Sequence, residues 1–409
     1  MGHWLKSSYN RLVAMAGRNR STSMAFGRIL GPSKPENVKL RLLVVADAAG
    51  ATLQINFLRP IHAALAAGDV RIMLLTEDDE RLAVKSGYSP KQLVAEAWEQ
   101  ASPDLVFVSR YGGSLAADLL QKSSQAGVPL VYHLDDNLFE VPIEAGIEKA
   151  KKYGTPSRQQ AIRTLLENAS VVYLSTVRLA AQLRERCQLA SNVFIGKIAS
   201  ASNPLPSCPS AAPRRPSFGY MASSSHAADL QLALPGIVAG LRAHPDLHFT
   251  VFGSLRPPPE LGIFDQRVEH VSAIGDYDDF LKHLASMRWD WGIAPLQSGR
   301  FNEAKTDTKW VEYSAAGVAS IVSRHPVYHD CSQGGAAVTV GDLDWAEKLP
   351  HILGDRALAD RTMAAARQRL VHHHGLIHMA IQLCNVFKFA GLQEELATVV
   401  CHELLSQYG

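Results

Sequence analysis

The chain has 409 residues, of which 47% are hydrophobic and 20% charged, and its formal net charge is +2. That length exceeds one ordinary hydrophobic core and calls for two domains, while the composition excludes a largely disordered chain and the near-neutral charge gives no nucleic-acid signature. The five cysteines, at 187, 208, 331, 384 and 401, are scattered without a C-x-x-C pair and read as reduced thiols of a cytoplasmic protein.

Residues 1–39 form a basic N-terminal extension, since seven Lys/Arg fall within residues 1–40 against Glu36 alone. Two readings stay open for it. It is a disordered or core-packed arm, or it makes peripheral contact with an anionic membrane at its inner face, anchored by Trp4, Leu5, Leu12, Val13, Met15 and Phe26. The start lacks a secretory apolar core, and no apolar run approaches the roughly 20 residues of a membrane span.

From residue 40 apolar runs alternate with helical patterns. Strands are predicted at Leu42–Ala46, Val70–Leu75, Leu105–Val108, Leu130–His133 and Val171–Leu174, and helices at Phe57–Ala67, Pro90–Glu99 and Ala116–Gln125. Continuous Val/Leu strands indicate a parallel sheet covered on both faces, so residues 40–201 form a first Rossmann-like domain. Five prolines in residues 202–216 mark a linker. The alternation restarts over 217–375, with strands Phe218–Met221, Leu247–Phe252, Trp291–Pro295, Ala319–Val322 and Ala337–Val340. Helices are expected at Leu230–Leu241, Asp278–Ser286, 306–316, Trp345–Leu353 and Leu358–His373. A last helical stretch covers 376–409. Two doubly wound α/β halves predict a ligand cleft at strand carboxyl ends.

The segment Phe301 to Gly317 is the most informative. Thr306 suits an N-cap, Asp307 the first turn, and Gly317 a left-handed helix stop. Lys309 and Glu312 then share one face, with Lys305 just before the helix start, where free N–H groups and the dipole favour an anion. Lysine charge suits a diphosphate, and a glutamate one turn deeper can accept from a ribose diol. Asp135 and Asp136 end a buried strand, where a carboxylate can act as base toward a hydroxyl or bind sugars; a turn cap is the alternative for Asp135. Asp47, after the first strand, is placed similarly. Ser224 and His226 follow a strand and either reach the same phosphates or form a simple turn. His133 reads as a core residue and His372–His374 as surface. Asp276-x-Asp278 and Asp342-x-Asp344 match a minimal metal-binding pattern but lie at helix starts, where capping explains them.

Taken in order, the stretches Pro129–Phe139, Phe218–Leu230, 301–323 and Trp345–Arg367 resemble the GT-B fold glycosyltransferases, most closely glycosyltransferase family 4, the group 1 enzymes of bacterial polysaccharide synthesis. The pattern here is Asn302-x-x-Lys305-x-x-x-Lys309-x-x-Glu312 in place of the family's two glutamates eight apart; Ala304 stands at the first position. The resemblance implies two Rossmann-like domains facing across a cleft, the first for the acceptor and the second for a nucleotide-sugar donor. It implies a hexosyl- or related transferase acting on a glycan or lipid-linked acceptor, with Asn302, Lys305, Lys309, Glu312, Ser224 and His226 at the donor and Asp135 and Asp136 catalytic. No metal or other cofactor is expected, and no nucleic-acid partner. A nucleotide-sugar epimerase and a non-catalytic scaffold on the same fold are the competing readings.

Overall fold

The computed structural model describes residues 26–198 and 215–408, which fall into two compact units. The first 25 residues, which hold most of the expected membrane anchors, and nearly all of the proline-rich linker lie outside them.

The first unit takes its described residues from Met1–Val141, Lys151–Ala201 and Leu376–Gly409. Its seven-stranded sheet has the order β1-β3-β2-β4-β5-β6-β7, with β1 Arg28–Leu30, β2 Leu40–Ala46, β3 Val70–Thr76, β4 Leu105–Ser109, β5 Leu130–Leu134, β6 Val171–Leu174 and β7 Val193–Ile195. All neighbours are parallel except β1, which pairs antiparallel with β3. The basic extension thus ends as an edge strand, and Phe26, expected as a membrane anchor, packs edge-on against Tyr88 at 5.1 Å. The stretch after residue 376 is two helices, Leu376–Phe389 and Glu394–Tyr408, because Gly391 takes φ +95° between them. Both belong to the first unit's core, where Phe387, Val400 and Leu404 join Phe57 and Leu65.

The second unit holds Pro142–Ala150 and the described part of Ser202–Gly375. Six parallel strands run in the order β10-β9-β8-β11-β12-β13. They are β8 Ser217–Ala222, β9 His248–Gly253, β10 Val268–Ser272, β11 Trp291–Ala294, β12 Ala319–Ser323 and β13 Val338–Val340. Order reversal between β8 and β11 is the switch point at which doubly wound sheets bind ligands beyond their carboxyl ends. Gly219 in β8 is required by packing, since an added Cβ would fall within the Trp289 ring. Gly219→Ala is therefore expected to lower stability by about 1–3 kcal/mol, read from the urea midpoint.

Candidate active site

In the second unit the helix Thr308–Ala315 is clamped by its aromatic face. Trp310 is fully buried and its indole N–H donates to the Ala336 carbonyl at 2.8 Å; the Tyr313 hydroxyl donates to the Ile293 carbonyl and accepts from the Met221 N–H, both at 3.0 Å. Tyr313 lies where any side chain at Gly292 would clash. With that face fixed, Lys309 and Glu312 emerge together on the other, both half-buried. Gly317 ends the turn with φ +75°. Thr306 is not the N-cap: its hydroxyl bonds that of Thr308 at 2.8 Å, and Asp307 takes the cap position without a side-chain cap bond. The first-turn N–H groups therefore have no side-chain acceptor at the cap.

A chain of bonds sets the surrounding loops. The His226 ring is 2.8 Å from Asp229, Asp229 accepts from the Gln297 N–H at 2.9 Å, and the Gln297 carbonyl accepts from the Asn302 amide at 3.0 Å. Asn302 thus uses one of its two amide N–H donors to shape the loop. Ser224 is exposed, with its backbone N–H donating to the Ser254 hydroxyl at 3.0 Å. The Lys309 ammonium sits 5.5 Å from the Tyr220 ring centre, and Lys305 lies 5.1 Å from that of Phe301, which Lys149 also approaches at 5.8 Å.

The local field is cationic. Burial and then the charge of Lys305 push the Lys309 ammonium down to about 8, against the pull of Asp229 and Glu312. Lys309 itself is the main cause, ahead of burial, that pushes His226 down to about 4, so its imidazole offers a hydrogen bond at neutral pH and no charge. Burial lifts the Glu312 carboxyl to about 7, partly offset by Lys309 and a hydrogen bond from Tyr277. An anion among these groups relieves the crowding of positive charge.

In the first unit Asp135 and Asp136 follow β5, and the structure places a residue the sequence reading passed over between them. Arg110, just after β4 and itself at φ +53°, bonds Asp135 at 2.6 Å and Asp136 at 3.1 Å and lies 3.7 Å from Asp47, which follows β2. Strands β2, β4 and β5 are adjacent, so three successive strand ends meet at one guanidinium. Thr52 also donates to Asp135 at 2.9 Å, and Tyr153 to Asp47 at 2.9 Å. Burial works against the Arg110 charge, and Asp135, Asp136 and Asp47 overcome it. Arg110 thus compensates Asp135 and Asp136 and ties both into one ion cluster with Asp47.

Beside this cluster lies a cavity of about 980 Å³ whose wall includes Asp47, Glu77, Ser114, Lys152 and Arg158. Glu77 is paired with Lys152 at 2.9 Å and with Arg158. Glu80 accepts from the Tyr111 hydroxyl at 2.6 Å and the Ser114 N–H at 2.9 Å. The signal for Arg110 is present in the sequence, since it follows a buried strand as Asp135 does.

Three further expectations resolve simply. His133 is fully buried, 3.1 Å from the Ser109 hydroxyl, and burial pushes it down to about 4. His374 is not on the surface: it is buried edge-on against Trp310 at 5.2 Å, because the helix ends at His373 and turns its neighbour inward. Asp276 caps the helix Tyr277–Met287 through the Asp279 N–H, whereas Asp344 pairs with Lys348 at 2.6 Å and Asp342 accepts from Ser298 at 3.2 Å.

Sheet order, connections and the switch point define a GT-B fold, and solved structures agree. HepE of Anabaena, determined with UDP-glucose, superposes with a TM-score of 0.58 at 11% identity, covering 85% of this chain and 99% of that one. WaaG, a glycosyltransferase involved in lipopolysaccharide biosynthesis, gives 0.55 at 12% over 88% and 100%. A UDP-forming trehalose-phosphate synthase from Burkholderia xenovorans gives 0.54 at 12% over 86% and 99%. No curated protein matches by sequence. Residues 236–385 match the family model described as glycosyl transferase-like. The resemblance to GT-B glycosyltransferases read from the sequence therefore holds, in the fold and in the sequence of the second half.

Proposed function

We propose that this chain transfers a sugar from a nucleotide-sugar donor to a glycan or lipid-linked acceptor in polysaccharide synthesis. The observation that carries the reading is the pair Lys305 and Lys309 crowded at an uncapped helix start, one turn before Glu312. As the glycosidic bond breaks, negative charge gathers on the leaving diphosphate, and fixed ammonium groups lower that barrier. Glu312 takes the donor ribose, and His226 and Ser224 add hydrogen bonds at the phosphates. HepE's complex with UDP-glucose makes UDP the first nucleotide to test. Asp135 and Asp136 act through Arg110, which they hold in place. Lysine charge serves where other enzymes use a divalent ion, so turnover is expected to survive EDTA. Calorimetry with UDP, GDP, ADP and dTDP decides the proposal: one of them binds, and binding of none overturns it.

Glu312→Ala removes a charged acceptor from the ribose and should weaken donor binding by about 1.5–3 kcal/mol, roughly ten- to hundredfold, with a smaller change in kcat. The pH dependence has a definite sign. Below about 7 Glu312 takes up a proton and loses strength as an acceptor; above about 8 the free protein's Lys309 loses its charge. Donor affinity, measured by calorimetry across pH 5.5–9.5, should peak between those two values.

Peripheral contact with an anionic membrane through residues 1–25 belongs to the same proposal. Co-sedimentation with phosphatidylserine vesicles should disappear when those residues are deleted, and undiminished binding would refute the contact.

A further inference from the structure

We infer that the donor's diphosphate binds together with a proton, which His226 takes up on Nε2 to become a charged hydrogen-bond donor to the phosphates. The inference rests on the glycosyltransferase reading above and deepens it at the same site of the second unit. A neutral imidazole carries one N–H, and its neighbours decide which nitrogen holds it. His226 Nδ1 is 2.8 Å from Asp229 Oδ2, while Asp229 Oδ1 accepts from the Gln297 N–H at 2.9 Å. Burial works against the Asp229 charge, but the bonds from His226 and Gln297 overcome it and hold the carboxyl below its ordinary range. An ionised carboxylate only accepts, so the ring proton stands on Nδ1 and Nε2 carries a lone pair. The Asp229 side chain is 6% exposed and that of His226 21%, so the open edge of the ring is the one turned away from Asp229, which bears Nε2. A lone pair there repels a phosphate oxygen; the imidazolium donates to it.

The charges around the ring explain why the proton arrives with the ligand and not before it. Lys309, from the helix Thr308–Ala315, acts most strongly and burial next; the hydrogen bond and charge of Asp229 pull the other way, and Lys305 from the loop ahead of that helix adds to the push. His226 also holds the N-cap position of the helix Ala227–Ala243, whose positive end works in the same direction as the lysines. Glu312, on the face that carries Lys309, has a carboxyl lifted to about 7 by burial and gives only part of a countercharge near neutrality. The turn Ile143–Ala145 packs on the turn that ends at His226, but its Glu144 is exposed to water. The Tyr220 hydroxyl, 3.5 Å from the His226 carbonyl, is kept neutral by burial. A dianionic diphosphate cancels what Lys309 and Lys305 impose, and the ring returns from about 4 toward its ordinary 6.5. The proton comes from solvent, stays on Nε2 while the glycosidic bond breaks and its electron pair passes to the diphosphate oxygen, and returns to solvent when the nucleoside diphosphate leaves. The site thereby gains a further cation at the moment negative charge gathers.

The test is calorimetry with UDP-glucose, or with GDP-, ADP- or dTDP-glucose where that is the sugar nucleotide bound, in pairs of buffers that differ in ionisation enthalpy. A sugar nucleotide is used because its esterified phosphates have no proton of their own to exchange near neutrality. At pH 6 the wild type should take up about 0.7 proton more per nucleotide than His226→Gln, the difference between a ring near 6.5 when bound and near 4 when free. Exchange at Glu312 or Lys309 is common to both proteins and cancels. Glutamine keeps an uncharged N–H donor, so the substitution should weaken binding about tenfold at pH 5.5 and less than about twofold at pH 8. Proton uptake opposes the fall in affinity that Glu312 brings below about 7, so the acidic limb should be steeper in His226→Gln than in the wild type. His226→Asn repeats the comparison with a shorter amide and guards against a fold defect of the glutamine variant.

Nitrogen spectra of histidine-labelled protein read the same event directly. The ring whose resonance is lost in the variants should carry its proton on Nδ1 in the free protein and on both nitrogens with the sugar nucleotide bound at pH 6. Equal proton uptake in wild type and variant, a loss of affinity that is the same at pH 5.5 and pH 8, or a free ring protonated on Nε2 would overturn the inference while the transferase reading stands. A wild-type protein that binds no sugar nucleotide would remove both.

Discussion

Lys309→Ala should lower kcat/KM for the donor about 10²- to 10³-fold, the loss seen when one preorganised donor to a developing anion is removed. The same variant should melt no lower than the wild type at pH 7. Lys309 enters the folded protein with its ammonium pushed from 10.5 to about 8 by burial and by Lys305. A lysine whose affinity for a proton falls on folding makes the unfolded state the better proton binder, so it costs stability below its folded value. That cost fades as pH rises from about 8 toward 10.5, and alanine removes it. Activity and melting temperature should thus move independently, which separates a lost phosphate contact from a damaged fold. Lys305→Ala gives a further check: without its repulsion the Lys309 ammonium titrates higher, and the alkaline fall in donor affinity should shift upward. An alanine variant at position 309 that keeps its activity within threefold would show that the diphosphate lies elsewhere.

The donor side was legible because its determinants are local. Lysine, glutamate and glycine at helical spacing before an apolar strand state both the element and the face it presents, and Lys309, Glu312 and Gly317 stand as that spacing requires. Its error was equally local: Thr306 and Asp307 are both competent caps, and the short helix Arg300–Glu303 ahead of them shifts the helix start by one residue. The four-residue buried strand Val171–Leu174 was readable to the residue, and the longer buried strands Leu40–Ala46, Val70–Thr76, Leu105–Ser109 and Leu130–Leu134 to within one or two residues at an end. The edge strand Val268–Ser272 was not, because it is only half-buried and its sequence, Val-Glu-His-Val-Ser, carries no buried run. The helix Glu77–Lys85 was hidden by its own start, where four acidic residues follow Thr76 and obscure a capping box between Thr76 and Asp79. The first-unit site was the least legible. Arg110 meets partners 25, 26 and 63 positions away, and only the strand order that brings β2, β4 and β5 together makes them neighbours.

Arg110→Met should destabilise the first unit by about 3–5 kcal/mol, the cost of stripping the partner from buried charges. The guanidinium is only 10% exposed, and it is shared by Asp47, Asp135 and Asp136, themselves 14–20% exposed. Methionine preserves much of the arginine volume, so the loss measures charge and hydrogen bonding more than packing. The pH response identifies the cause. With the cation gone, three carboxylates are crowded together out of water, and their proton affinity in the folded state rises above the unfolded value. The folded state then binds more protons, and stability increases as pH falls from 7 toward the unfolded carboxylate range, which lies near 4. Urea midpoints at pH 7 and pH 5 should therefore converge between variant and wild type at the lower pH. Adding Asp135→Asn to Arg110→Met should restore part of the stability, since it removes one unpaired charge, whereas Asp135→Asn alone should cost stability by leaving Arg110 with two carboxylates and a weaker contact. A sign reversal between the two backgrounds is the signature of an ion cluster whose members depend on one another. Additive losses would instead mean that Arg110 contributes packing alone, and that the strand ends bearing Asp47 and Asp135 are held by the sheet without it.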